Sequence, residues 1–212
     1  MSKVLVIAVH PDDETLGCGG TILKHKSQGD TVGCMFVTSG NAEQKKLVNE
    51  VVKQYGFDFV EYLDKAEVVL DDLSLTQLIP PFSEVMHKHQ PTVLYVPNRS
   101  DSHSDHRKTW QAVSACIKSF RYPFLKRVLM CEVISETDVA PALAENAFVP
   151  NVFIDITAFR DQKMDILKMY DVELLEDPHT RSISAVDALQ RYRGSQVSVQ
   201  YAEAFMLIKE IL

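Results

Sequence analysis

His10-Pro11-Asp12-Asp13-Glu14 places one imidazole and three carboxylates in five consecutive residues. Carboxylates crowded this closely repel one another unless a cation lies among them, and a divalent metal is the economical cation. Taken alone, the pentad also reads as a loop closed by an acidic helix cap, since Asp is a common N-cap and acids favour a first helical turn. A second cluster argues against that simpler reading. Residues 98–108 run Asn98-Arg99-Ser100-Asp101-Ser102-His103-Ser104-Asp105-His106-Arg107-Lys108. Two histidines three apart on a first helical turn present their rings to the same side. Zinc takes imidazole and carboxylate ligands in a tetrahedral set, and a catalytic site leaves one position for water. His10, Asp13 and His106 would make such a set, leaving Asp12 and His103 beside the metal to move protons.

Both clusters follow apolar runs, Val4 to Val9 and Thr92 to Pro97, which read as buried parallel strands. Open α/β sheets bind their ligands outside the carboxyl ends of such strands, so the two clusters can share one sheet edge. Pro11 fixes its own φ and disfavours the helical region for His10, which turns the chain sharply there. Along the rest of the chain, strands are expected over 3–9, 31–38, 57–63, 92–96, 127–134 and 152–157. Helices are expected over 15–28, 43–55, 74–89 (irregular at Pro80-Pro81), 104–119, 158–170, 184–193 and 199–211. This βαβα order predicts an α/β fold, a single Rossmann-like doubly wound domain over 1–212 with a mostly parallel sheet and helices on both faces.

The two motifs identify a resemblance. The chain resembles the PIG-L/LmbE-like N-acetylglucosaminyl deacetylases, zinc-dependent hydrolases of N-acetylated amino sugars. His10-Pro11-Asp12-Asp13-Glu14, continued by Thr15-Leu16-Gly17-Cys18-Gly19-Gly20-Thr21-Ile22, looks like the family's first motif, and His103-Ser104-Asp105-His106 like its second. Val149 to Ile156, Arg193-Gly194-Ser195 and Tyr201 to Phe205 are similar to its C-terminal part. The resemblance implies removal of an acetyl group from an N-acetylglucosamine-type conjugate, with zinc-bound water as nucleophile. Many relatives carry an arginine-containing segment after the second strand that helps to hold substrate. Here Asn41-Ala42-Glu43-Gln44-Lys45-Lys46-Leu47 has lysines instead, and a lysine is a point charge rather than a bidentate fork.

Within this reading Asp12 is the general base and His103, as imidazolium, stabilises the tetrahedral oxyanion. Asp105 is expected to hold His103 or His106 through the other ring nitrogen, and Asp101 is a similar candidate. Glu14 reads equally as a helix cap. Arg99 is the candidate substrate contact, and loops 39–46, 98–102 and 177–182, with His179, are placed to recognise hydroxyls. His25, His87 and His89 read as solvent-facing. The Gly17-Cys18-Gly19-Gly20 run lacks dinucleotide-binding spacing and is expected to let the first helix pack close to the sheet. The ligand set suits iron(II) as well as zinc.

Composition bounds the partners. With 22 Lys and Arg against 29 Asp and Glu, the formal charge is −7, and no basic run offsets it, which argues against nucleic acid. Cys18, Cys34, Cys116 and Cys131 are widely spaced and read as free thiols rather than ligands or disulfides. The apolar run before His10 is too short for a signal peptide, and no run reaches membrane-spanning length. A cytoplasmic enzyme acting on a small amino-sugar conjugate is expected, with no membrane partner; assembly into a homo-oligomer is left open. Two rival classes are a metal-dependent amidase or phosphoesterase acting on a different substrate, and a non-catalytic metabolite-binding domain. A phosphoesterase would more often show a second metal cluster, and binding alone does not need a free base.

Overall fold

The computed structural model describes residues 1–212. Seven strands form one sheet in the order β3-β2-β1-β4-β5-β7-β6. The strands are β1 (Lys3–Ala8), β2 (Thr31–Thr38), β3 (Phe59–Lys65), β4 (Val93–Val96), β5 (Arg127–Cys131), β6 (Val152–Asp155) and β7 (Ala202–Glu210). The helices are α1 (Asp13–Ser27), α2 (Ala42–Tyr55), α3 (Leu75–His89), α4 (Ser104–Ser114), α5 (Arg160–Leu167) and α6 (Ile183–Ser195). β1 to β5 are mutually parallel, and β7 runs antiparallel between β5 and β6.

The alternation along β1 shows why the sheet is covered twice. Val4, Val6 and Ala8 enter the core beneath α1, α2, α5 and α6, while Leu5 and Ile7 enter the one beneath α3 and α4. A strand buried on both faces has to be apolar throughout, as the sequence of β1 is. β1 lies between β2 and β4: the chain builds outward through β2 and β3 on one side, then crosses back to place β4 and β5 on the other. That reversal opens a crevice at the carboxyl end, where both acidic clusters emerge.

One element departs from its expectation. Residues 199–211 read as a helix, but Ala202–Glu210 is strand β7. Ala, Glu, Met, Leu and Lys are good helix formers, so local propensity favours a helix. Pairing on both sides, Leu129 opposite Leu207 and Phe153 opposite Ala204, overrides it. Helix α3 continues through Pro80 and Pro81, and α4 stops at Ser114 rather than 119. His25 and His89 are also not free in solvent. His25 bridges Asp30 and the Tyr95 hydroxyl, and His89 bonds Glu61 while stacking on Phe59. All four cysteines are free and buried.

The glycines of α1 serve close approach to more than the sheet. A Cβ on Gly20 would lie 2.7 Å from the Ile156 side chain, and one on Gly19 would lie 2.6 Å from the Tyr55 hydroxyl. The helix also breaks at Cys18, which leaves helical geometry (φ −153°, ψ 24°). The following turn therefore has free N–H groups, as any helix start does. Glu203 on β7 accepts from Gly20 N at 2.9 Å and Thr21 N at 2.7 Å, and its charge is balanced by the buried Lys163 at 2.8 Å. This knot ties β7 and α5 to the helix that begins at the acidic pentad. Removing one partner of a buried ion pair costs about 3–5 kcal/mol. Glu203→Ala should lower unfolding stability by that order in urea denaturation, with the fold retained at low denaturant.

Candidate metal centre

The first cluster turns off β1 under several constraints. Asp12 has φ 121°, a conformation that side chains rarely adopt and that costs on the order of 1–3 kcal/mol. Glu14 holds it there. The fully buried Glu14 carboxyl accepts from the Asp12 backbone N–H at 3.2 Å, from Thr15 Oγ1 at 2.6 Å and from the Tyr170 hydroxyl at 2.8 Å. Glu14 thus shapes the turn and is more than a cap, although burial pushes its carboxyl up. Asp13 accepts from the His10 backbone N–H at 2.7 Å, which folds the pentad back on itself.

The second cluster opens α4. His103 is the N-cap, and its Nδ1 accepts from Asp105 N at 3.1 Å. Glu136 clamps the same segment, accepting from Ser102 Oγ at 2.8 Å and His103 N at 2.9 Å. His106 is fully buried on the first turn.

Across the crevice His10 Nδ1, Asp13 Oδ2 and His106 Nε2 converge. Their separations are 3.3 Å between the imidazoles, 3.2 Å from His106 to Asp13 and 3.8 Å from His10 to Asp13. A tetrahedral zinc ion with ligands at 2.0–2.1 Å has ligand–ligand edges of about 3.3 Å, so this triangle fits one face of such a set. The proton positions agree. His10 Nε2 faces Asp105 Oδ2 at 3.2 Å and His106 Nδ1 faces Asp101 Oδ2 at 2.8 Å. A carboxylate only accepts, so each ring donates outward and turns a lone pair inward. Two lone pairs and a carboxylate oxygen then meet with no proton among them, and Asp13 Oδ1 is buried without a partner. The donor set fits a divalent cation. Burial opposes charge on His106, yet Asp13 and Asp101 hold its imidazole well above the usual range. Asp13 is buried too, but His106 and His10 hold it below the usual carboxylate range. His10, His103 and Asp105 form a second group of metal-type side chains. Asp105, however, already accepts from Val68 N at 2.8 Å and Leu70 N at 3.3 Å.

Expected roles move in several places. Asp105 orients His10, rather than His103 or His106, and Asp101 orients His106. His103 uses Nδ1 as an acceptor, and burial together with His10 lowers its pKa. With Nδ1 accepting, Nε2 is the nitrogen left to donate. Asp12 lines the cavity with Oδ1 buried and unpartnered and Oδ2 on Arg181 Nη1 at 3.0 Å. Burial and the Asp13 charge push its carboxyl well up, against the pull of Arg181.

The cavity over these groups is about 170 Å³ and has no hydrophobic lining residue. Its wall includes Glu67, Glu136, Glu173 and Arg181, none of which the sequence reading singles out. Arg181 sits two residues beyond His179 in the turn expected to approach the pocket; His179 itself is exposed. The segment 41–47 reaches the site only indirectly, through Gln44 Nε2 on Glu173 at 3.3 Å, and Lys45 pairs with Asp64 at the surface. Arg99 lines a neighbouring cavity instead. Partners that orient a ligating histidine typically set metal affinity by about 10–100-fold. Asp101→Ala should weaken metal binding by that order in a competitive chelator titration, whereas His106→Ala should abolish it.

A family profile described as PIG-L, GlcNAc-PI de-N-acetylase, matches residues 5–117, more than half the chain. The diacetylchitobiose deacetylase of Thermococcus kodakarensis is 24% identical, over 100% of this chain and 85% of its own. Among solved structures, a conserved protein from Thermus thermophilus superposes with a TM-score of 0.80 at 26% identity, covering 100% of this chain and 97% of that one. The N,N'-diacetylchitobiose deacetylase from Pyrococcus horikoshii shares the fold with a TM-score of 0.75 at 19% identity, over 98% of this chain and 84% of that one. With its acidic pentad and second histidine cluster on one sheet edge, this chain belongs to the PIG-L family of deacetylases.

Proposed function

We propose that this protein is a zinc-dependent hydrolase that removes the acetyl group from an N-acetylglucosamine-type conjugate, giving a free amine and acetate. The observation that carries the reading is the meeting of His10, Asp13 and His106 beside a free buried carboxylate oxygen of Asp12. Family membership and the deacetylase relatives support the same chemistry. His10 Nδ1, the Asp13 carboxylate and His106 Nε2 would hold the ion. Zinc bound there supplies a water of lowered pKa and polarises the acetyl carbonyl.

The chain's own groups supply the rest. Asp12 Oδ1 takes a proton from the attacking water and returns it to the leaving nitrogen, because an amine leaves poorly unless protonated. Arg181 fixes the other oxygen of Asp12, which leaves Oδ1 without a protein partner. His103 donates its Nε2 proton to the developing oxyanion, a bond that strengthens as charge builds on that oxygen. Glu136 positions His103 by holding its backbone. Glu67 and Glu173 offer acceptors for sugar hydroxyls in a cavity without apolar wall.

Asp12→Asn keeps size and shape while removing the basic oxygen. It should retain metal while the rate falls by roughly 10²–10⁴, the usual contribution of a positioned acid–base group. Loss of metal in Asp12→Asn, with metal kept in Asp13→Asn, would exchange the roles of the two carboxylates. Substrate class is tested by acetate release from a panel of N-acetylated sugars and their conjugates. Conjugates of N-acetylglucosamine should be cleaved, and free N-acetylglucosamine more slowly. An enzyme that ignores all of them but cleaves a simple non-sugar amide is an amidase of another kind.

A further inference from the structure

The loop that follows β5 reaches the second histidine cluster through two successive residues. Glu136 holds Ser102 and His103, and Thr137 holds Asp101. The Thr137 hydroxyl donates to Asp101 Oδ1 at 2.7 Å and accepts from the Val133 backbone N–H at 3.0 Å. Asp101 Oδ2 accepts from His106 Nδ1 at 2.8 Å, and His106 Nε2 is the nitrogen that faces Asp13 and His10. Val133, Thr137, Asp101 and His106 are all buried, where a hydrogen bond is electrostatically stronger than in water.

The direction of this chain of bonds is set at its far end. A backbone N–H can only donate, so Val133 occupies a lone pair of the Thr137 oxygen and the hydroxyl proton goes to the carboxylate. With Oδ1 taken, Oδ2 is left to accept from the imidazole. The His106 proton then stays on Nδ1 and the lone pair on Nε2, the arrangement a metal needs. The outer torsion of an Asp side chain is broad, so a carboxylate without that hydroxyl is free to rock and to carry the ring with it.

The two orienting carboxylates are held differently. Asp105, which serves His10, accepts from the backbone N–H groups of Val68 and Leu70. Asp101 Oδ1 is instead held by a side-chain hydroxyl from the loop of a different strand. Backbone bonds fix the turn that presents it: Glu136 N and Thr137 N both donate to the Val133 carbonyl, at 3.1 and 2.8 Å. Ser102 N donates to the Glu136 carbonyl at 3.0 Å, which keeps the two loops in register.

From this geometry we infer that Thr137 is a positioning residue for the metal. Through Asp101 it fixes the orientation and tautomer of His106, and so sets how tightly the centre holds its divalent cation. Thr137 does not line the catalytic cavity, so it acts without touching substrate. Its role rests on His10, Asp13 and His106 being the ligands, as proposed above.

Zinc affinity of the full chain, read by competitive chelator titration, tests this role. T137V keeps the shape and removes the hydroxyl, whereas T137S keeps the hydroxyl. T137V should bind zinc about 3- to 10-fold more weakly, a fraction of the loss of about 10–100-fold typical when the orienting carboxylate itself goes. T137S should stay close to the unmodified chain. In a D101A background T137V should cause no further loss, because residues that act through one another are not additive. T137V also leaves the Val133 N–H unpaired and should lower the urea midpoint, as any structural role would; zinc affinity at low denaturant separates the two. T137A takes its place if the valine variant does not fold. Unchanged zinc affinity in T137V, or the same fold-loss from T137V with and without Asp101, overturns the role of Thr137 while leaving the metal centre intact. No zinc binding by the unmodified chain overturns the metal centre itself, and the role of Thr137 with it.

Discussion

Two imidazole lone pairs and a carboxylate oxygen held within 3.2–3.8 Å of one another do not stay together without positive charge between them. Much of the surrounding structure serves to keep them there. Asp101 and Asp105 fix which nitrogen of each ring faces inward. Glu14 holds the Asp12 turn, and Glu136 holds the loop that carries His103. The cost of burying so many carboxylates in one crevice is large unless each is hydrogen-bonded or paired. Here nearly all are, and the exceptions are Oδ1 of Asp12 and Oδ1 of Asp13, each buried without a hydrogen-bond partner.

The sheet makes that convergence possible. The two clusters lie about a hundred positions apart in the chain, but β1 and β4 pair in parallel, with Val4 opposite Val93. Their carboxyl ends, and the helices that start there, are brought side by side. The reversal of strand order at β1 leaves no helix crossing over that point, so the crevice stays open. Further along the edge, the loop after β5 contributes Glu136, and the segment before α6 contributes Arg181. The Glu203–Lys163 knot fastens β7 and α5 to the same first helix.

Where the chemistry is written in residue type and strand-end position, it is legible from the residues alone. An apolar run ending in His10-Pro11-Asp12-Asp13-Glu14 announces both its strand and its turn. Which carboxylate serves which imidazole is not legible, because it depends on the face of α4 each residue occupies. Successive helical residues point about 100° apart, so Asp105 cannot turn toward the inner side that His106 faces and reaches His10 instead. Arg181 lies in a stretch with no periodic pattern, and its role depends on how that loop folds back over Asp12. β7 escapes the sequence for the complementary reason, since good helix formers are overruled by partners on either side that local sequence cannot show. The doubly wound order itself follows from alternating apolar runs.

The central claim is the position of the ion, and anomalous diffraction at the zinc edge from metal-loaded crystals tests it most directly. The account predicts a single strong peak about 2.0–2.2 Å from His10 Nδ1, the Asp13 carboxylate and His106 Nε2, with Asp105 still bonded to His10 Nε2. A peak on His10 Nε2, His103 and Asp105 would contradict it, because Asp105 would then be a ligand and His103 could not serve as a donor to the oxyanion.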